Sequence, residues 1–272
     1  MEASATTTPA TPCLVEQREG PVARLILNRP EQRNSLSETL ITALEEALAA
    51  LGRDDTVRVI ILEACGPAFC AGHDLKEMTA HRQDNDRGRT YYERIMSQCS
   101  SMMQKIVTCP KPVIARVHGI ATAAGCQLVA SCDLAIAADT ARFATPGVNI
   151  GLFCSTPMVA LSRNIPRKRA MEMLLLGEMM DARTAADYGL INKSVPPDSL
   201  DDAVNHMAGT IAQKSALTVQ IGKEAFYRQL EQPLSEAYAY ASQIMVTNML
   251  AHDAQEGIGA FLEKRDPLWQ NK

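Results

Sequence analysis

Between Val117 and Pro157 the chain reads VHGIATAAGCQLVASCDLAIAADTARFATPGVNIGLFCSTP, and Ala121, Ala123, Ala124 and Gly125 open a helix directly after an apolar strand. Small residues at such a turn let backbone, rather than side chains, approach a neighbour or a ligand, because first-turn N–H groups have no intrahelical acceptor. The run Phe69-Cys70-Ala71-Gly72-His73-Asp74-Leu75 repeats the arrangement after the strand Val57 to Leu62. Two loops of this kind can share one carbonyl oxygen. Close helix packing is the competing explanation for Ala123-Ala124-Gly125.

The rest of the chain alternates strand and helix. Val22 to Leu27 is β-branched-rich, and Ser35 to Leu51 places Leu40, Leu44, Leu48 and Leu51 at helical spacing, with Ser35 as the expected N-cap and Glu38 completing a capping box. A helix over Thr90 to Val107 is stopped by Cys109-Pro110-Lys111-Pro112, and a strand follows over Val113 to Val117. Helix Thr122 to Ser131, strand Leu134 to Ala138, helices from Thr156, over Lys168 to Leu176 and Ala182 to Tyr188, and a strand near Ile191 to Val195 complete an α/β pattern. From Leu200 onward four helical segments follow, whose Met and Leu spacing reads as packing faces.

With 272 residues the chain can bury a large core. A net charge of −4 with both signs interspersed disfavours nucleic acid as the main partner. No apolar run approaches the roughly 18 residues of a membrane span. Eight cysteines without a C-x-x-C pair read as reduced, buried thiols, not as a disulfide framework or a metal site. The first twelve residues carry Glu2 and no Arg or Lys, which fits neither a secretory signal nor a basic transit peptide and leads to the expectation of a cytoplasmic location.

These two loops, together with Leu27-Asn28-Arg29-Pro30, Asn34-Ser35-Leu36 and the tail Phe261-Leu262-Glu263-Lys264-Arg265, resemble the crotonase (enoyl-CoA hydratase/isomerase) superfamily from about Leu14 to Trp269. The resemblance implies an α/β fold, a spiral of ββα repeats over 13–199. It also implies a helical region over 200–272 used for assembly into homotrimers or hexamers, preceded by a flexible lead-in over 1–12. It implies a coenzyme A thioester as substrate or ligand, with no permanently bound cofactor and no metal. The thioester oxygen would be held by the backbone N–H groups of His73 and Ala124, which stabilise enolate charge.

Hydratases of this family use two glutamates to move protons, and here those positions hold Gln127 and Gly147. Glutamine exchanges no proton near neutral pH and glycine has no side chain, so ordinary two-glutamate hydration is disfavoured. A further acid, used by dienoyl isomerase-like members, falls on Ser155. His73 remains as a titratable group, its ring either facing the pocket or turned to solvent and loop. Cys154 and His118 read as structural, and Asp74 as ordering its own loop. For the coenzyme, the resemblance points to Arg33, Ala71 and Lys76 beside the pantetheine path, and to Phe261 with Lys264 over the nucleotide, often from a neighbouring subunit. The alternative to an enzyme is a weak or inactive acyl-CoA binder with a regulatory role.

Overall fold

Apolar runs such as Val59-Ile60-Ile61-Leu62 carry no polar alternation, so a strand made from them must be covered on both faces. The computed structural model, which describes residues 11–272, buries them in that way; ten of the residues of the expected lead-in lie outside the described ones. A six-stranded sheet contains β1 (Leu14–Glu19), β2 (Val22–Leu27), β3 (Val59–Ala64), β5 (Val113–Val117), β7 (Leu134–Ala138) and β10 (Lys193–Val195) in that spatial order. Only β1 and β2 pair antiparallel. Ile60 and Leu62 point into the larger core, whereas Val59 and Ile61 meet Leu200, Val204 and Ala208 of a helix on the opposite face.

A second sheet is built from strands too short to leave a periodic signal: β4 (Ala68–Cys70), β6 (Ile120–Thr122), β8 (Arg142–Ala144) and β9 (Met180–Asp181). β3, β5 and β7 are each followed at once by one of these short strands and then by helical structure, which is the repeating ββα unit. The helices are α1 (Glu38–Arg53), α2 (Leu75–Ala80), α3 (Arg89–Thr108), α4 (Ala124–Ser131), α5 (Pro157–Asn164), α6 (Arg167–Leu176), α7 (Ala182–Tyr188), α8 (Leu200–Ala212), α9 (Ala216–Leu230), α10 (Leu234–Met249) and α11 (His252–Glu263). α8 covers the sheet, while α9, α10 and α11 pack mainly on one another.

Three expectations shift. The cap of α1 is Ser37, whose Oγ accepts from the Leu40 N–H at 3.2 Å, because Ser35 is engaged with Asp74 instead. The strand expected at Val57 to Leu62 lies two residues later. α4 starts at Ala124, not Thr122, because Ala123 has φ 51° and ψ −119°, outside helical space.

Candidate functional site

The two loops are tied together from below. Asn34 is fully buried with φ 53°, a conformation Asn tolerates. Its Oδ1 accepts from the Arg29 N–H at 2.8 Å, and its Nδ2 donates to the carbonyls of Cys65 and Ala68, both at 2.8 Å. Arg29 reaches Asp74 at 2.9 Å, Ser35 donates to the same carboxylate, and the other oxygen of Asp74 caps α2 by accepting from the Lys76 and Glu77 N–H groups. Burial pushes the Asp74 carboxyl up, but these donors outweigh it and hold the group below its ordinary value. Asp74 therefore orders its own loop, as expected. Leu36 then bridges to the second strand of the loop, donating to the Gly72 carbonyl at 2.7 Å and accepting from Asp74 at 3.0 Å.

Gly72 and Gly125 permit the approach of loop to loop. A Cβ on Gly72, where φ is +95°, would lie 2.9 Å from the Ala123 methyl and 3.4 Å from the Ala124 nitrogen. A Cβ on Gly125 would strike the Cys70 carbonyl oxygen at 2.1 Å. Ala123 donates to the Ala144 carbonyl at 2.9 Å, which holds its unusual backbone and leaves the next amide pointing out of the helix start. Among the described residues, neither the His73 nor the Ala124 N–H donates to a protein acceptor.

The polar side chains around these amides are buried and neutral. Burial pushes the His73 imidazole down to about 4, so it is uncharged at neutral pH. Its Nε2 is buried without a protein partner, which matches neither of the bland alternatives, a ring turned to solvent or bonded to the loop. Gln127, one turn into α4, is 4% exposed, and its Oε1 has no protein partner among the described residues. Thr145, which sequence reasoning did not single out, is 0% exposed and its hydroxyl is likewise unpartnered. A threonine in an apolar run gives no signal of this kind; only the fold places it next to Ala144.

Gly147 is closed off by its own loop. Its carbonyl accepts from the Leu152 N–H at 2.9 Å, and a Cβ there would lie 2.7 Å from the Leu152 oxygen and 2.9 Å from the Cys154 sulfur. Cys154 is buried and its thiol is pushed up by that burial, so it packs and is no nucleophile, as expected. Ser155 is exposed and bonds weakly to Phe153, and His118 donates to or accepts from its surroundings through the Gly66 carbonyl contact at 2.8 Å, a structural role.

Of the coenzyme candidates, Arg33 and Lys76 are exposed and sit on the tied loops: the Ala71 N–H donates to the Arg33 carbonyl at 3.0 Å, and Lys76 lies in the first turn of α2. Phe261, 82% exposed, and Lys264 lie at the end of α11, with no hydrogen bond or ion pair to those loops among the described residues. Arg33, Lys76 and Lys264 also form no ion pair among the described residues. The best-defined surface clefts, one of about 10 Å³ beside Arg58, Lys111 and Lys214 and an open one of about 370 Å³ beside Leu14 and Glu46, are built from other segments.

A model of the enoyl-CoA hydratase/isomerase family matches residues 17–272. Enoyl-CoA hydratase domain-containing protein 3, mitochondrial, of Xenopus laevis is 48% identical over 95% of this chain and 86% of its own length. The human protein of the same name is 46% identical over 96% of this chain and 84% of its own. Among solved structures, an enoyl-CoA hydratase of Mycobacterium smegmatis superposes with a TM-score of 0.91 at 51% identity, covering 95% of this chain and 99% of that one. The human domain-containing protein 3 superposes at 0.90 and 45% identity, covering 94% and 100%. Relatives from frog, rat, mouse, human and zebrafish are named mitochondrial, which overturns the cytoplasmic expectation. That expectation rested on the charge of twelve residues that take no part in the shared fold.

Proposed function

Because the chain belongs to the enoyl-CoA hydratase/isomerase family, we propose that it binds a coenzyme A thioester and polarises the thioester carbonyl between the N–H groups of His73 and Ala124. The observation that carries this reading is the pair of unpartnered amides, held at closest approach by Gly72 and by the strained Ala123. Two such donors, fixed before the ligand arrives, stabilise negative charge as it develops on the oxygen. Arg33 and Lys76 would pair the coenzyme phosphates beside one loop. Phe261 and Lys264 would act on a neighbouring copy, since their own chain does not connect them to the site.

The direct test is the infrared carbonyl band of a ¹³C-labelled crotonyl-CoA. Binding with a shift to lower frequency is expected; an unshifted band, or no binding at millimolar concentration, would defeat the proposal. Hydration through two carboxylates is disfavoured, and a second reading, a weak or inactive acyl-CoA binder, is supported by the space filled at Gly147 and by the uncharged His73. Hydration of crotonyl-CoA at about 10 per second or more, the middle of the enzymatic range, would overturn that second reading.

A further inference from the structure

The unpartnered polar atoms nearest the two amides belong to three separate elements, and their chemistry is one-sided. Thr145 follows Ala144, whose carbonyl holds the Ala123 N–H at 2.9 Å; Gln127 donates its own N–H to the Ala123 carbonyl at 3.0 Å; His73 follows Gly72, which abuts the Ala124 nitrogen. All three residues are thus attached to the backbone that presents the amides. Their side-chain atoms, Thr145 Oγ1, Gln127 Oε1 and His73 Nε2, are buried without protein partners, although burying such a group unbonded costs about 1–3 kcal/mol.

Gln127 Oε1 can only accept a hydrogen bond, and a threonine hydroxyl both donates and accepts. A group meeting both therefore needs an O–H of its own: an alkyl or alkenyl carbon offers nothing, and a carboxylate offers no donor to Gln127. No cation is present to balance a carboxylate, because the His73 ring is neutral at pH 7 and Arg33 and Lys76 face solvent.

We propose that Thr145 and Gln127 form a neutral hydrogen-bonding clamp for a hydroxyl carried by the acyl group, so that the site prefers hydroxyacyl thioesters to plain acyl or carboxyacyl ones. This rests on the thioester-binding reading above and names its substrate class, with Thr145 as a specificity-determining residue.

Calorimetry with 3-hydroxybutyryl-CoA, butyryl-CoA and malonyl-CoA tests it. The hydroxy ester should bind on the order of 3- to 10-fold more tightly than butyryl-CoA, the worth of one good hydrogen bond, with malonyl-CoA weaker than both. Thr145→Val, close in shape but without the hydroxyl, should bring the ratio of hydroxybutyryl to butyryl affinity to about one, while Thr145→Ser should keep most of the preference. Should Thr145→Val fail to fold, Gln127→Met reads the same ratio. Equal affinity for the first two esters in the natural protein, or a Val variant with its preference intact, would overturn the clamp alone. Binding of none of the three would overturn the clamp and the thioester reading together.

Discussion

At the scale of single residues, the two missing glutamates are not equivalent. Gln127 keeps the size and burial of the residue it stands for, but Gly147 sits where a Cβ would meet a backbone oxygen at 2.7 Å, and backbone cannot swing aside as a flexible side chain can. Gly147→Ala should therefore destabilise the protein by about 1–3 kcal/mol, the usual cost of overpacking, as read from denaturant midpoints. For the same reason Gln127→Glu with Gly147→Glu should fail to install hydration unless the loop over residues 147–154 moves; a folded double variant hydrating crotonyl-CoA at a clearly raised rate would contradict this. His73 makes a second, independent prediction. Its folded pKa, about 4, lies below the ordinary 6.5, so between those values the unfolded chain takes up a proton that the folded chain refuses. Stability is thus lost as pH falls from 6.5 toward 4, and His73→Gln should flatten that slope by up to one proton. An unchanged pH profile of the melting midpoint would show that the ring is not desolvated.

Among the elements, the docking of α9 against the core depends on a few buried polar contacts. Lys223 Nζ donates to Asp133 at 2.6 Å and to the carbonyls of Ile106 and Lys111, and Tyr227 donates to the other Asp133 oxygen at 2.9 Å. Burial pushes the Asp133 carboxyl up even with this lysine beside it, so removing the cation leaves a costly charge. Lys223→Met should destabilise by about 3–5 kcal/mol, with amide exchange rising first in α9 and α10. Uniform exchange across the molecule would show that this contact does not set the stability of the helical region. At the far end Asp253, 1% exposed, accepts from Ser215 at 2.5 Å and from the Gln270 and Asn271 N–H groups, which closes the tail over α11.

For the molecule as a whole, apolar side chains left uncovered point to further copies of the chain. Leu234, Tyr238, Met245, Val246, Leu250, Phe261 and Leu262 are each at least 60% exposed on α10 and α11, more apolar surface than a single soluble chain ordinarily leaves in water. Light scattering at micromolar concentration is expected to give a trimer or hexamer, and a species of 29.6 kDa would refute it. The same measurement bears on the coenzyme, since Lys264→Ala should weaken acyl-CoA binding only in the assembled form. Concentration-independent loss of affinity in that variant would place Lys264 on the site of its own chain.

What the sequence by itself determined was everything local or carried by a continuous motif. The long β-branched strands, the helices with four or more apolar positions on one face, and the loops at Ala71 to Asp74 and Ala121 to Gly125 were all legible, because periodicity and small-residue runs are properties of neighbours in the chain. Tertiary structure alone decided the second sheet, whose strands of two or three residues exist only through their partners. It alone set the cap at Ser37, since Asp74 competes for Ser35 from 39 residues away. It also turned Gly147 from a missing carboxylate into a filled space, and brought Thr145 beside the two amides. Those outcomes depend on which segments meet, and no spacing along the chain encodes a meeting between segments.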